Sequence, residues 1–93
     1  MAQNNKIIIT VSGTDKVGIV AKVSTILAEL NVNIEDIKQT LMQGHFVMFM
    51  LCDISQSSNS FKEIKEALCQ VGEKLGMEVW VQRKEIFDNM HNV

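Results

Sequence analysis

Residues 46–52 read Phe-Val-Met-Phe-Met-Leu-Cys, apolar at every position, with Gly44 before the run and Asp53 after it. Such a run is short for a buried helix and far from the roughly 20 residues of a membrane span. A strand sends alternate side chains to opposite faces, so a strand apolar throughout needs cover on both faces. His45 to Ile54 is therefore expected in the middle of a sheet. A chain of 93 residues supports one hydrophobic core, and the rest of the sheet must be built around this strand.

The flanking sequence supplies the other elements. Lys6 to Ser12 carries Ile7, Ile8, Ile9 and Val11 and reads as a second strand apolar on both faces. Asp15 is placed to cap a following helix whose first three residues would be Lys16, Val17 and Gly18. Val20, Val23, Leu27 and Leu30 then recur at steps of three and four, one apolar stripe ending near Leu30, with Asn31 as a left-handed terminator. Val32 to Met42 is a strand with a phase change: Val32 and Ile34 share one parity, Ile37 and Leu41 the other. A bulge near Glu35-Asp36 reconciles them. Gln43-Gly44 is a turn.

Ser60-Phe61-Lys62-Glu63 matches a capping box. Phe61, Ile64, Leu68, Val71 and Leu75 form the stripe of the helix it opens, and Gly76 stops it. Met77 to Gln82 alternates as a last strand, with Met77, Val79 and Val81 on one face and Glu78, Trp80 and Gln82 on the other. Glu85 to His91 forms a short helix displaying Ile86, Phe87 and Met90.

The order β-α-β-β-α-β with right-handed crossovers gives an α+β fold, a ferredoxin-like βαββαβ sandwich. Its four-stranded antiparallel sheet has strand order 2-3-1-4, with two helices on one face and a short C-terminal helix. The expectation is one domain over residues 1–93, with a core at 6–82 and a C-terminal extension at 83–93. Both helices cover one face, yet strands one and three are apolar on both, which leaves a patch soluble monomers do not usually expose. A second copy, the terminal segment around Phe87 and Met90, or both must cover it. Two-fold assemblies are the commonest soluble oligomers, which favours a homodimer.

Several kinds of chemistry are absent. A net charge of −2 removes the sequence-independent attraction to nucleic acid. No apolar run is long enough for a membrane, and the first six residues lack an apolar signal core, so a cytoplasmic location is expected. Cys52 and Cys69 sit in apolar patterns without metal spacing and read as buried free thiols. His45, beside the turn, and His91, near the chain end, have no ligand partners at metal spacing. Glu35-Asp36 is either a carboxylate pair or a solvated edge. Gly13 to Gly18 lacks the Lys-Ser/Thr of a phosphate loop, since Ile19 and Val20 follow. An RNA-binding sheet needs aromatics on its first strand, a copper site needs CxxC in the first loop, and an acylphosphatase needs an arginine there. The chain has none of these, and its one arginine is Arg83. No enzyme, cofactor or metal is expected.

What stands out is the first strand–helix junction, Gly13-Thr14-Asp15-Lys16-Val17-Gly18-Ile19. The first N–H groups of a helix lack internal acceptors and carry partial positive charge. Two glycines expose them to a small anionic or zwitterionic group, while Asp15 caps with one oxygen and accepts an ammonium with the other. The opposing reading is that Asp15 only caps and Gly18 only lets the helix approach a strand.

Gly13-x-Asp15-x-x-Gly18-Ile19-Val20 followed by "VSTILAELNVNIEDI" resembles the ACT domain, a small regulatory module that binds amino acids, over Lys6 to about Gln82. "NIEDI-x-QT" and the ending Arg83, Ile86, Phe87, Met90, His91 are similar to the stand-alone single-ACT-domain proteins of bacteria and archaea. The chain also resembles, more loosely, the glycine cleavage system repressor. The resemblance implies a ligand site at a homodimer interface. Gly13, Thr14, Asp15, Lys16, Val17, Gly18 and Ile19 would hold an amino acid's carboxylate and amine through the main chain. Asn31, Asn33 and Ile34 from a partner would close over it. Many ACT domains have proline before the second glycine, where Val17 stands here and keeps an N–H. The expected function is a regulatory module binding an amino acid or similar metabolite, with a regulated protein as a further partner. The alternative is an interaction or dimerisation module with no ligand of its own.

Overall fold

The computed structural model describes residues 5–91 without the side chains of Met90 and His91, so the expectations placed on those two side chains lie outside it. Four strands form one antiparallel sheet: β1 (Lys6–Thr14), β2 (Asn33–Met42), β3 (His45–Asp53) and β4 (Glu78–Arg83), in the order β2-β3-β1-β4. The two strands with apolar Ile and Met runs lie at the centre, β1 pairing with β3 from Lys6↔Asp53 to Thr14↔His45. Between the strands run α1 (Ile19–Glu29) and α2 (Phe61–Leu75), and α3 (Lys84–His91) follows β4. This is the expected ferredoxin-like arrangement. The core is built from Ile7, Ile9 and Val11 of β1 and the buried side of β3, packed on Val23 and Leu27 of α1 and Ile64 and Leu68 of α2.

The local signals account for most boundaries. Ser60 accepts from the Glu63 amide at 3.1 Å while Glu63 accepts from the Ser60 amide at 2.8 Å, the reciprocal box that opens α2. Asn31 takes a left-handed φ of 60° after α1, letting the Val32 amide reach back to the Leu27 carbonyl at 2.9 Å. Gln43 and Gly44 both have positive φ, as a two-residue hairpin turn requires. The pairing of β2 with β3 slips between Ile34 and Asp36, so the bulge lies where the change of parity puts it. Lys6 braces it, bonding Glu35 and, at 3.2 Å, Asp53. Glu35-Asp36 is thus a braced edge.

The expectation of two doubly covered strands needs correction. Within 46–52, Phe46, Met48, Met50 and Cys52 are buried, Val47 and Leu51 are half-buried, and Phe49 is 42% exposed. On β1 the outward positions after Ile8 are Thr10 and Ser12, which need no apolar cover. The second face receives α3, folded back so that Phe87 meets Phe49 edge-on at 6.3 Å between ring centroids. Trp80, opposite Thr10 in the same cross-strand row, stays 59% exposed. The terminal segment therefore covers part of the face and leaves part open.

Candidate functional site

β1 ends at Thr14, and the Asp15 amide donates to the Gly44 carbonyl at 2.9 Å, tying the junction to the hairpin beside it. Lys16 Nζ then donates to the Leu75 carbonyl at 2.6 Å, satisfying an end group of α2. Val17 is fully exposed. Helix α1 begins at Ile19, with Gly18 at its N-cap in a left-handed conformation, φ 90° and ψ 4°, and no side chain caps it.

Two expectations are corrected here. Asp15 does not cap α1, and Lys16 to Gly18 are not its first turn. Asp15 is held by its own amide to the Gly44 carbonyl, far away in sequence, and the chain needs a left-handed residue to swing from there into the helix. Glycine adopts that conformation without the penalty an L side chain meets. The close-packing reading of Gly18 also falls, because a Cβ there would meet nothing within 4 Å. The close approach belongs to Gly13, whose Cβ would lie 2.7 Å from Met77 Sδ.

The Lys22 amide is bonded to the Gly18 carbonyl at 2.9 Å and closes the first turn. The amides before it, from Ile19 to Ala21, precede the first intrahelical donor and meet no side-chain cap. Beside the junction lies a hollow of about 310 Å³ lined by Asp15, Gln39, Thr40, Leu41 and Phe46. Leu41 is 59% exposed there. These β2 and β3 residues escaped the sequence reading, because only the hairpin pairing carries them to Asp15. The one available signal was the adjacent apolar pair Leu41-Met42 at the end of the strand.

Asn31, Asn33 and Ile34 do not join this cluster within one chain. Asn33 pairs with Asp53 at the Lys6 end of the sheet, whereas Thr14 pairs with His45 at the other. At about 3.3 Å per residue the intervening strand spans roughly 25–30 Å. Asn31 Nδ2 is engaged by the Gln56 carbonyl at 2.9 Å, Ile34 packs on the core, and Asn33 is exposed.

Elsewhere, Ser12 Oγ lies 3.1 Å from His45 Nε2 on the open sheet face. No group of three His, Cys, Asp or Glu among the described residues is placed to hold a metal ion. No described helix is long and apolar enough to cross a membrane. Both cysteines are free, Cys52 buried and Cys69 half-buried.

A βαββαβ sheet of this order is compatible with several small ferredoxin-like modules, and a family model of the ACT domain matches residues 5–82. The chain belongs to the ACT-domain family. Within it, the UPF0237 protein of Listeria innocua is 52% identical over 86 residues, covering 92% of this chain and 97% of the relative. The UPF0237 protein of the archaeon Methanocaldococcus jannaschii is 45% identical over 89 residues, covering 96% and 99%. The group thus spans bacteria and archaea. Among solved structures, an ACT domain protein from Streptococcus pneumoniae superposes with a TM-score of 0.77 at 38% identity, covering 89% of this chain and 93% of that one. The regulatory subunit of aspartate kinase from Thermus thermophilus gives 0.67 at 26%, covering 86% and 52%. The fold is shared, at 24% identity and a TM-score of 0.74, by a chain described as a glycine cleavage system transcriptional repressor, with 84% of this chain and 44% of that one covered.

Proposed function

We propose that this protein is a regulatory module that binds an amino acid, or a small metabolite carrying the same carboxylate and ammonium groups, at an interface between two copies. The observation that carries this reading is the start of α1: left-handed Gly18, no side-chain cap, and open space where a Cβ would be. The amides of residues 19–21 receive the carboxylate. Asp15, with no side-chain partner among the described residues, receives the ammonium. A solved relative of the fold is itself a regulatory subunit.

The second copy supplies what one chain keeps apart. β2 is a ten-residue edge strand paired only on its β3 side. Two β2 edges meeting antiparallel across a two-fold axis put Asn33 of the partner subunit near Met42, beside the hollow at Asp15. They also cover Leu41. In this assembly Asn31 acts through its backbone, because its side chain is already engaged by Gln56.

Sedimentation is expected to give twice the chain mass, and a thermal-shift screen of the twenty amino acids at millimolar concentration to show stabilisation by at least one. Gly18→Val abolishes that stabilisation while the dimer persists, and Leu41→Lys removes both. A monomer at micromolar concentration, or no response to any amino acid, overturns the reading. The interaction-module reading is favoured by one observation, the exposed Trp80 and Phe49 on the open sheet face. It predicts that Trp80→Ser disrupts association and Leu41→Lys does not.

A further inference from the structure

We propose that the groove between α1 and α2 is a second binding site, for an amphiphilic anion: a carboxylate or phosphate head on a short apolar body. The groove has a volume of about 620 Å³, within the range of small-molecule sites. It lies on the helical layer, meets the proposed amino-acid site only at Gly18 and Ala21, and shares no residue with the hollow beside Asp15. The two helices run antiparallel, so the N-terminal half of α1 faces the C-terminal half of α2. Along that stretch α1 presents Gly18, Ala21 and Thr25, too small to fill the space between the helices. Ile26, Val71 and Leu75 are therefore half-buried at the groove instead of sealed beneath a neighbour.

Charge decides the occupant. Lys22 on α1 and Lys74 on α2 both line the groove, and no carboxylate does. Neither lysine has an acidic residue three or four positions away on its own helix, the spacing at which helical ion pairs form. Neither makes an ion pair among the described residues, whereas Lys84 is matched by Asp88 and Lys6 by Glu35 and Asp53. Lys16 adds a third cation at the Leu75 end. In a chain of net charge −2, this is an apolar trough with positive sides. A cation is repelled, and a plain hydrocarbon leaves the ammonium groups unused. An anion with an apolar body satisfies both. The α1 residues lining the groove, 18 to 26, span about 12 Å, the reach of a short acyl chain.

The test is titration of the intact protein with octanoate, octyl phosphate and octylamine, read by thermal shift and by amide resonances. Octanoate or octyl phosphate is expected to raise the melting temperature and to move resonances of residues 21–26 and 71–75. Their comparison tells a carboxylate source from a phosphate source, and a response to either above the amine upholds the site. Octylamine is expected to do neither. Lys22→Gln with Lys74→Gln weakens binding about tenfold. Ala21→Trp, at an exposed helical position, fills the groove and removes binding from a folded protein. Fluorescence of Trp80, on the far side of the sheet, stays unchanged. Asp15→Ala leaves the octanoate response intact and lowers any amino-acid response, which keeps this site separable from the proposed function. Equal stabilisation by octylamine, shifts centred on Phe49 and Trp80, or no response at millimolar octanoate overturns the proposal.

Discussion

Gly18 and Cys52 show how differently single residues are constrained. Gly18 has free space around its Cα, so only its left-handed φ resists substitution. Gly18→Asn, which tolerates that region, is expected to lose less stability than Gly18→Val, with the alanine variant costing about 1 kcal/mol between them. Urea melts of the three variants check the order. Asp15→Ala removes no cap and is expected to change stability by less than about 0.5 kcal/mol. Cys52 is governed by burial, which pushes its thiol up to about 12, with the negative charge of Glu35 adding to the effect. A thiol held neutral is a poor nucleophile. Iodoacetamide at neutral pH is therefore expected to label Cys69 first and to reach Cys52 only as the protein unfolds, as peptide mass mapping would show.

At the scale of elements, α2 depends on its two ends and on one internal glycine. Ser60→Ala breaks the capping box and is expected to cost about 1 kcal/mol. Gly72→Ala is a sharper test. Helix propensity alone predicts a gain of about 1 kcal/mol in a helix interior. Here the new Cβ would lie 2.5 Å from Val79 Cγ2 and 3.0 Å from the Met77 carbonyl. Overpacking therefore wins, and a net loss of about 1–3 kcal/mol is expected in a denaturant titration.

The end of β3 at Asp53 has its own signature in pH. The backbone and hydroxyl of Ser55, and then Lys6, hold the Asp53 carboxyl below its usual 3.8. A depressed folded-state value adds stability above 3.8 that is lost as pH falls through the lowered value. Asp53→Asn lacks that contribution. The stability gap between variant and parent is expected to be widest near neutrality and to narrow in acid, measured by urea midpoints from pH 7 to pH 2.

For the whole molecule, the second sheet face is shared between α3 and solvent. Phe87→Ala is expected to cost roughly 1–2 kcal/mol, below the 3–5 of a fully buried phenylalanine, because its ring covers Phe49 from a half-buried position. The variant should also bind more of a hydrophobic-surface dye. No such increase would mean that α3 does not shield the face.

The sequence alone determined the type and order of the elements, the central place of β1 and β3, the α2 box at Ser60 and Glu63, the bulge before Asp36 and the hairpin at Gln43-Gly44. Each of these is set by side-chain periodicity, or by groups within a few residues of one another. Tertiary structure decided the rest. Asp15 loses its capping role because its amide is claimed by Gly44, a hairpin carbonyl that no local pattern brings near. Gly13 faces Met77 across the sheet end, and the hollow at Asp15 owes its far wall to Leu41 and Phe46. The ten junction and β2 residues singled out in the sequence fall at opposite ends of one sheet. Only strand pairing could reveal this, since a strand's periodicity says which face a side chain takes but not which distant residue lies beside it.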